Sequence, residues 1–274
     1  MDKAKKFSLS ITETPSRFEN LERMSVGEII SAINKEDAKV HRAVQKALPQ
    51  IEAVITRVVD RMARGGRIFY LGAGTSGRLG VLDASELPPT FGVPDNLVIG
   101  LIAGGDAALR KAVEAAEDDP EKAWQELKER QINQLDTVIG IAASGSTPYV
   151  VGGLKRAREN GIFTACITCN PGSSVAQQAE IPIEAVVGPE FVTGSTRLKA
   201  GTATKLVLNM ITTLSMVQSG RVISNLMVDV QPTNEKLRDR AIRILSQLTG
   251  WPRERSQEAL EQSQWNIRNA MNRK

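Results

Sequence analysis

Two short runs of small and hydroxyl residues are the clearest candidates for ligand binding in this chain. The first is Gly72-Ala73-Gly74-Thr75-Ser76-Gly77-Arg78, directly after the apolar run Arg67–Leu71. The second is Ser144-Gly145-Ser146-Thr147, directly after the apolar run Val138–Ala143. Where such a loop opens a helix, its free backbone N–H groups and its hydroxyls form a cradle for a phosphate. Two cradles in one sheet predict a phosphorylated ligand held at the carboxyl ends of parallel strands.

A third cluster combines glycine, hydroxyl groups and cations at the start of a later predicted helix. Thr193-Gly194-Ser195-Thr196 is followed by Arg197 and Lys199. A charged, capped helix start would use the same residue types, but their clustering slightly favours a further contact with an anion. We therefore add Ser195 and Lys199 to the predicted phosphate-binding residues.

Two glutamates are candidates for proton transfer. Glu86 lies in Asp83-Ala84-Ser85-Glu86-Leu87-Pro88-Pro89, and Glu117 lies in the acidic stretch Glu114–Asp119. The two prolines after Glu86 end a helix and fix the chain just past the carboxylate. From the residues alone, each glutamate fits a solvated acid at a helix end better than a catalyst. Glu86 has the better claim, because it follows the first loop within one helix.

The first loop also matches the dinucleotide-binding pattern G-x-G-x-x-G through Gly72, Gly74 and Gly77. That pattern requires an acid about twenty residues further on, at the end of the next strand. Here Asp95 precedes the next predicted strand, and Asp106 follows it too late. The sequence therefore favours a sugar phosphate over a nicotinamide, and no cofactor is predicted.

Histidine and cysteine usage argues against a metal site. His41 is the only histidine and lies far from both loops, so neither a histidine-rich metal site nor a Ser-His-Asp triad is predicted there. Cys166 and Cys169 have the spacing of a redox or zinc pair. Because they lie on a predicted strand, three residues apart, their side chains should point to opposite faces of the sheet. We expect two reduced structural cysteines and no metal.

The composition narrows the class of partner. Of 274 residues, 41% are hydrophobic, which is enough for a full core, and 4% are aromatic, which disfavours base-stacking nucleic-acid modules. The net charge of +4 is scattered, so it suits a small anionic molecule better than nucleic acid. Neither the polar start Met1–Lys6 nor any apolar stretch resembles a secretory or membrane-spanning segment. We expect a cytoplasmic protein with no membrane partner.

Short apolar runs alternate with helical stretches through the middle of the chain. Strands are predicted near residues 67–72, 97–103, 136–143, 162–169 and 183–187. Helices are predicted at Asp106–Asp118, at Thr147–Asn160 and from about Lys199 to Ser219. This order predicts an α/β fold, a three-layer αβα sandwich around a mainly parallel five-stranded sheet. Residues 66–225 form this domain, and residues 226–274 form a small helical tail.

A helical arm is predicted ahead of the sheet, over residues 1–65. Ser25 and Glu28 match a capping box at the start of one helix. A longer helical pattern over Lys39–Ala63 places apolar side chains in a continuous seam, which Pro49 is expected to kink. The seam could pack on the sheet or form a subunit contact, and we predict a homodimer.

Three stretches resemble a known family. Leu71–Gly92, Ile141–Val150 and Gly188–Met210 are similar to the N-acetylmuramic acid 6-phosphate etherases, which are bacterial enzymes with a sugar-isomerase-type (SIS) fold. Gly188–Met210 also resembles a signature that these enzymes share with glucokinase regulatory proteins. The resemblance extends from about Ile11 to about Gly250, and several long motifs match.

The resemblance implies cleavage of the lactyl ether at C3 of N-acetylmuramate 6-phosphate, as in cell-wall amino sugar recycling. It also implies that Glu86 and Glu117 are the two catalytic residues. Ring opening exposes a C1 aldehyde, so a carboxylate can remove the C2 proton while a carboxylic acid protonates the departing lactate. We assign Glu86 as the donor to lactate and Glu117 as its partner. One charged and one protonated glutamate require partly desolvated surroundings.

Two features depart from the family pattern. Ser146 stands where the family usually has arginine, and the family's helical C-terminus is usually longer than the one that ends at Lys274. Two other functions also remain open. A non-catalytic sugar-phosphate sensor would need the loops but no acid pair, and an aldose–ketose isomerase of the same fold would release no lactate. Retention of both Glu86 and Glu117 argues against the sensor.

Overall fold

A five-stranded parallel sheet forms the centre of the molecule. The computed structural model describes residues 10–273. The strands are β1 (Ile68–Gly72), β2 (Val98–Ile102), β3 (Thr137–Ile141), β4 (Phe163–Thr168) and β5 (Ile181–Glu184). They are ordered β2-β1-β3-β4-β5, and all neighbouring pairs are parallel. Strands β1, β3 and β4 are buried along their whole length, as expected of a sheet covered on both faces.

Helices cover both faces of the sheet, which confirms the predicted three-layer α/β fold. In chain order they are α1 (Val26–Asp37), α2 (Val40–Lys46), α3 (Leu48–Ala63), α4 (Gly74–Ser85), α5 (Leu87–Phe91), α6 (Ala107–Arg110), α7 (Lys122–Glu129), α8 (Pro148–Glu159), α9 (Ser174–Gln178), α10 (Lys199–Gln218), α11 (Glu235–Thr249), α12 (Arg253–Gln262) and α13 (Ile267–Met271). Helices α2, α3, α4, α5 and α10 share one apolar core with the sheet. Helices α7, α8 and α9 share the core of the opposite face.

The chain reaches α1 through two short 3-10 turns, at Ile11–Glu13 and Leu21–Arg23. The predicted capping box is present, since Ser25 accepts from the Glu28 N–H and Glu28 bonds back to Ser25. The predicted single helix over Lys39–Ala63 is instead two helices, α2 and α3. Pro49 lies in the first turn of α3, where a missing N–H costs no hydrogen bond, so it starts a helix rather than bending one.

The predicted helix over Asp106–Asp118 is also wrong. Helix α6 has only one turn, the backbone is extended at Lys111, and a 3-10 turn follows at Glu114–Glu117. Arg78 supplies the physical reason. Its Nε and Nη2 atoms donate to the carbonyls of Leu109 and Ala108, at 3.0 and 2.8 Å. A distant side chain thus satisfies the carbonyls that a longer helix would have used.

The C-terminal segment has an apolar core of its own. Helices α11, α12 and α13, which confirm the predicted helical tail, pack around Leu245, Leu260 and Ile267. A small antiparallel pair, β6 (Val222–Ile223) and β7 (Leu226–Met227), precedes them and was not predicted. This core is separate from the two cores that flank the sheet.

The helices within residues 10–273 include none that is long and apolar enough to cross a membrane. The polar start Met1–Lys6, on which the prediction of no secretory segment depends, lies outside the described residues.

Candidate active site

The strand order creates a crevice at the carboxyl edge of the sheet. The chain passes from β1 to β2 on one side and then returns to β3 on the other side of β1. The loops that follow β1 and β3 therefore leave the sheet in opposite directions, and ligands of open α/β sheets bind at such a switch point. Both predicted phosphate loops, Gly72–Arg78 and Ser144–Thr147, lie at this point.

The first loop is close-packed around its glycines. A Cβ on Gly77 would lie 2.8 Å from the Gly72 carbonyl oxygen and 2.6 Å from Ile102, so no larger residue fits there. Helix α4 begins at Gly74 and makes no side-chain cap bond at Ala73. Its first N–H groups therefore remain available, together with the half-buried Thr75 and Ser76, for an anion.

The second loop turns sharply at Gly145, whose φ of 78° favours glycine. A Cβ there would lie 2.3 Å from the Ser173 Cβ. Ser144 and Ser146 bring their hydroxyl oxygens to 3.4 Å from each other. Thr147 is the N-cap residue of α8 and makes no side-chain cap bond. The loop borders a cavity of about 340 Å³, lined by Ser10, Ile11, Ser144, Gly145, Ser146, Asn170, Pro171, Gly172, Ser173 and Ser174.

Asn170, just past β4, connects this cavity to the N-terminal segment. Its Nδ2 donates to the Thr12 Oγ1 at 2.9 Å and to the Ala143 carbonyl at 2.8 Å. Its Oδ1 accepts from the Thr12 N–H at 3.3 Å. Thr12 is fully buried and Asn170 nearly so. Sequence reasoning missed both residues, although Asn170 follows a predicted strand at the same edge as the two loops.

The third predicted cluster lies beside the first loop, but its lysine does not face the crevice. A Cβ on Gly201 would lie 3.7 Å from Thr75, so the start of α10 is next to the first loop. Lys199 is buried, and its Nζ donates to Glu36 at 2.6 Å and to the Pro189 carbonyl. Its ammonium is thus already paired within the chain, and its predicted contact with a phosphate stays a prediction.

The N-terminus of α10 is also occupied by an acid of the chain itself. Glu190 accepts from the backbone N–H groups of Lys199 and Ala200, at 3.0 and 2.9 Å. Burial raises the pKa of Glu190. Burial alone would also raise the pKa of Glu36, but its bonds to Lys199 and Lys39 lower it below the ordinary value. Ser195 remains half-buried nearby, so its predicted role in binding stays a prediction.

Glu117 lies near the first loop. It borders a cavity of about 170 Å³ that is also lined by Gly74 and Arg78. Two of the three guanidinium nitrogens of Arg78 are used by carbonyls of α6, so this arginine first fixes the chain that leads to Glu117. Its role in phosphate binding stays a prediction.

Glu86 lies elsewhere. It is the C-cap of α4, and it borders a cavity of about 270 Å³ together with Asp83, Lys205 and Asn209. Helix α4 runs back from the carboxyl edge, since Gly77 packs on Gly72 and Gly80 on Tyr70. Its 12 residues span about 18 Å, so Glu86 is far from the loop that opens the helix. Glu86 and the first loop belong to the same helix, which seemed to favour Glu86 as a site residue. They lie at opposite ends of that helix, so they are far apart.

Both glutamates are exposed in the single chain, so the expected partial desolvation is not met there. The half-buried acid beside Glu86 is Asp83, which sequence reasoning did not select. Asp83 accepts from the Tyr70 hydroxyl at 3.1 Å and from the Thr212 hydroxyl at 3.2 Å. Burial raises the pKa of Asp83.

Close relatives decide the family. An N-acetylmuramic acid 6-phosphate etherase of Bacteroides fragilis is 61% identical over 242 residues, which cover 88% of this chain and 86% of the relative. The enzyme of that name from Christiangramia forsetii is 57% identical over 249 residues, or 91% of each chain. The chain belongs to the N-acetylmuramic acid 6-phosphate etherase family. The etherase from Yersinia pestis is 52% identical and covers 96% of this chain.

Three family models match successive parts of this etherase-family chain, and the first two overlap. The N-terminal SIS domain of glucokinase regulatory protein matches residues 50–158, and the SIS domain matches residues 113–214. The C-terminal lid domain of glucokinase regulatory protein matches residues 224–273. These matches confirm the SIS-type fold that the sequence predicted.

Solved structures share this fold at low sequence identity. A phosphoheptose isomerase from Neisseria gonorrhoeae has a TM-score of 0.53 at 16% identity and covers 70% of this chain and 98% of its own. A phosphoheptose isomerase from Francisella tularensis has a TM-score of 0.52 at 16% identity, with coverages of 69% and 98%. At such identities the likeness establishes the architecture.

The cysteines of the etherase-family chain follow the prediction. Cys166 and Cys169 are unpaired and buried in the cores of opposite faces of the sheet. Burial raises the pKa of each thiol to about 12, which keeps both protonated and unreactive. Among the residues that the structure describes, no group of three or more histidine, cysteine, aspartate or glutamate side chains could hold a metal.

Proposed function

We propose that this protein cleaves the D-lactyl ether of N-acetylmuramic acid 6-phosphate, giving N-acetylglucosamine 6-phosphate and D-lactate. The observation that carries this conclusion is the 61% identity to a named etherase across 88% of the chain. The protein is thus a carbon–oxygen lyase of amino sugar catabolism, and its relatives are named N-acetylmuramic acid 6-phosphate etherase. Retention of Glu86 and Glu117 in this sequence agrees with that activity.

The substrate's 6-phosphate binds between the two hydroxyl loops at the switch point of the sheet. Support comes from the free N–H groups at the start of α4, from Thr75 and Ser76, and from Ser144 and Ser146. The mild positive charge of the chain suits such an anion.

The reaction is an elimination followed by a hydration. Ring opening gives a C1 aldehyde, which makes the C2 proton acidic enough for a carboxylate to remove. The C3–oxygen bond then breaks, and a carboxylic acid gives its proton to the lactate oxygen. Water adds to the resulting double bond at C3, and a proton returns to C2. We assign the proton donation to Glu86 and the partner role to Glu117, each a general acid–base step.

The working form is a homodimer in the cytoplasm. An apolar groove of about 660 Å³ between α3 and α10 supports the dimer, because Leu48 and Leu214 line it and are 44% and 45% exposed. Exposed apolar patches of this kind mark protein contacts. Two unpaired thiols, Cys166 and Cys169, fit a reducing compartment.

A lactate assay tests the function directly. Purified protein is mixed with N-acetylmuramate 6-phosphate, and D-lactate is followed with a coupled dehydrogenase. We expect lactate and N-acetylglucosamine 6-phosphate in equal amounts. Binding of a hexose phosphate without consumption would instead identify a sensor, and interconversion of ketose and aldose phosphates without lactate would identify an isomerase.

A further inference from the structure

The cavity beside Glu86 contains an ammonium and an amide group that the proposed proton transfers leave unused. Lys205 and Asn209 lie one turn apart on α10, so they share one face of that helix, and both line this cavity of about 270 Å³. Both side chains are exposed. Lys199, at the start of the same helix, is paired with Glu36, whereas Lys205 forms no ion pair within residues 10–273. Its ammonium is therefore available to an anion in the cavity.

The remaining wall of the cavity is apolar. Leu79 and Leu82 of α4 and Leu208 of α10 line it, and Leu82 is 48% exposed. Binding sites that combine an apolar wall with a few polar groups use those groups to orient the ligand. The cavity therefore fits a short fragment that has an apolar part and an anionic end.

Asp83, the buried end of this cavity, does not occupy the lysine. Its carboxyl oxygens accept from the hydroxyls of Tyr70 and Thr212, at 3.1 and 3.2 Å. Burial raises the pKa of Asp83, and the charge of Lys205 opposes that shift without a direct ion pair. A raised pKa favours the neutral carboxyl group, which lessens the repulsion of an anion bound next to it.

We propose that Lys205 binds the carboxylate of the lactyl group, with Asn209 as a second donor, and that this pair selects the lactyl ether over other sugar phosphates. The inference rests on the proposed function, in which Glu86 gives its proton to the ether oxygen. That oxygen must come within about 3 Å of Glu86, whichever chain supplies the phosphate loops. The carbon attached to it bears both the methyl and the carboxylate group of the lactyl unit, so both groups enter the cavity.

The two ends of the lactyl unit match the two kinds of wall. The carboxylate meets the ammonium of Lys205 in a charge-assisted hydrogen bond, which is stronger than a bond between neutral groups. The methyl group packs on the exposed Leu82. The product N-acetylglucosamine 6-phosphate lacks the lactyl unit and makes neither contact, so the pair holds the substrate more tightly than the sugar product.

Calorimetry with two ligands tests this assignment without turnover. N-acetylmuramate 6-phosphate and N-acetylglucosamine 6-phosphate differ only in the lactyl group, and each is titrated into Glu86→Gln. We expect the first to bind about tenfold more tightly. Addition of Lys205→Met should abolish this preference and leave the affinity for N-acetylglucosamine 6-phosphate unchanged. No preference in Glu86→Gln, or the same preference after Lys205→Met, would overturn the proposal.

Two further variants in the same background separate binding from a structural role. Lys205→Arg keeps the positive charge and should keep most of the preference. Lys236→Met removes an exposed lysine of α11 outside the cavity and should keep all of it. If Lys205→Met instead weakened both ligands equally, Lys205 would serve only the fold around Asp83, and the proposal would be overturned.

Turnover distinguishes this inference from the proposed function. Conversion of the lactyl carboxylate to its primary amide should lower kcat/KM of the wild type about tenfold, whereas Lys205→Met should treat acid and amide alike. Lactate release with an unchanged acid preference in Lys205→Met would overturn this inference alone. A wild type that releases no lactate, but whose binding preference depends on Lys205, would overturn the proposed function and not the lactyl-binding site.

Discussion

Lys199, which the sequence predicts as a phosphate contact, forms a buried ion pair inside the chain. Its side chain is 2% exposed and is paired with Glu36 of α1, while Glu190 closes the start of the same helix. The groups at the start of α10 that resembled an anion site are thus already bonded to two acids of the same chain, Glu36 and Glu190. Their contribution is to join the N-terminal arm to α10.

Lys199→Met should destabilise the protein. The substitution leaves Glu36 buried with Lys39 as its remaining partner, and removal of one member of a buried pair costs about 3 kcal/mol at the lower end of the usual range. Urea unfolding would measure this loss in the free energy of unfolding. Lys46→Met, at an exposed position on α2, is the control. Equal stability of the two variants would refute the structural role of Lys199.

The raised pKa of Asp83 predicts how the stability of the fold depends on pH. Because burial raises its pKa above the ordinary 3.8, the folded state binds the proton more tightly than the unfolded state. Asp83 therefore favours folding at low pH, and its contribution is lost as the pH rises through the folded pKa. The unfolding free energy of wild type, relative to that of Asp83→Asn, should increase as the pH falls from about 7 toward about 4.

Asp239 is a control of opposite sign for that titration. Its hydrogen bonds to Arg253 and Arg243 lower its pKa, so its contribution is lost as the pH falls. Relative to Asp239→Asn, wild type should lose stability at acid pH. Matching slopes for the two asparagine variants would contradict the assignment of a raised pKa to Asp83.

At the scale of elements, the N-terminal segment contributes to the candidate site. Thr12 is held by Asn170, and Ser16 donates to the Phe191 carbonyl at 2.7 Å and through its N–H to Thr193. Residues 10 and 11 line the cavity of the second hydroxyl loop. The segment therefore connects the chain after β4 with the chain that leads into α10.

Thr12→Val should weaken substrate binding more than turnover. The substitution keeps the shape but removes the oxygen that accepts from Asn170, so the wall of the cavity loses one buried hydrogen bond. We expect KM for N-acetylmuramate 6-phosphate to rise about tenfold, with kcat nearly unchanged. Thr12→Ser should restore the wild-type KM, because it keeps the hydroxyl.

A buried threonine of β4 provides the comparison. Thr164 is also fully buried and accepts from the Glu180 N–H at 3.1 Å, near the opposite end of the strand that precedes Asn170. Thr164→Val should therefore change stability without changing KM. A KM increase of equal size in both valine variants would mean that Thr12 acts only through general stability.

The elements were predictable where the signal is local. Apolar runs identified all five strands, and Ser25 with Glu28 identified the start of α1. The features that local patterns did not predict depend on distant contacts. Helix α6 ends where Arg78 reaches its carbonyls, and Lys199 pairs with a glutamate 163 positions earlier in the chain. No local window contains either partner.

The site was predictable in its loops but not in its carboxylates. Gly72–Arg78 and Ser144–Thr147 follow neighbouring strands, so the parallel order alone assigns them to one edge. Glu86 was linked to the first loop because one helix contains both, although a rise of about 1.5 Å per residue already separates them. Only the direction of α4 along the sheet shows that Glu86 lies away from the carboxyl edge, where the loops are.

In the whole molecule, one edge of the sheet carries both hydroxyl loops, while α4 runs back from that edge to Glu86. An apolar groove lies between α3 and α10. The proposed chemistry begins with removal of the C2 proton, before the lactyl ether breaks.

Isotope incorporation tests that chemistry most directly. Wild-type protein is incubated with N-acetylmuramate 6-phosphate in heavy water, and the sugar product is analysed by NMR and mass spectrometry. We expect D-lactate together with N-acetylglucosamine 6-phosphate that carries deuterium at C2. Lactate release with the original hydrogen retained at C2 would contradict the proposed elimination.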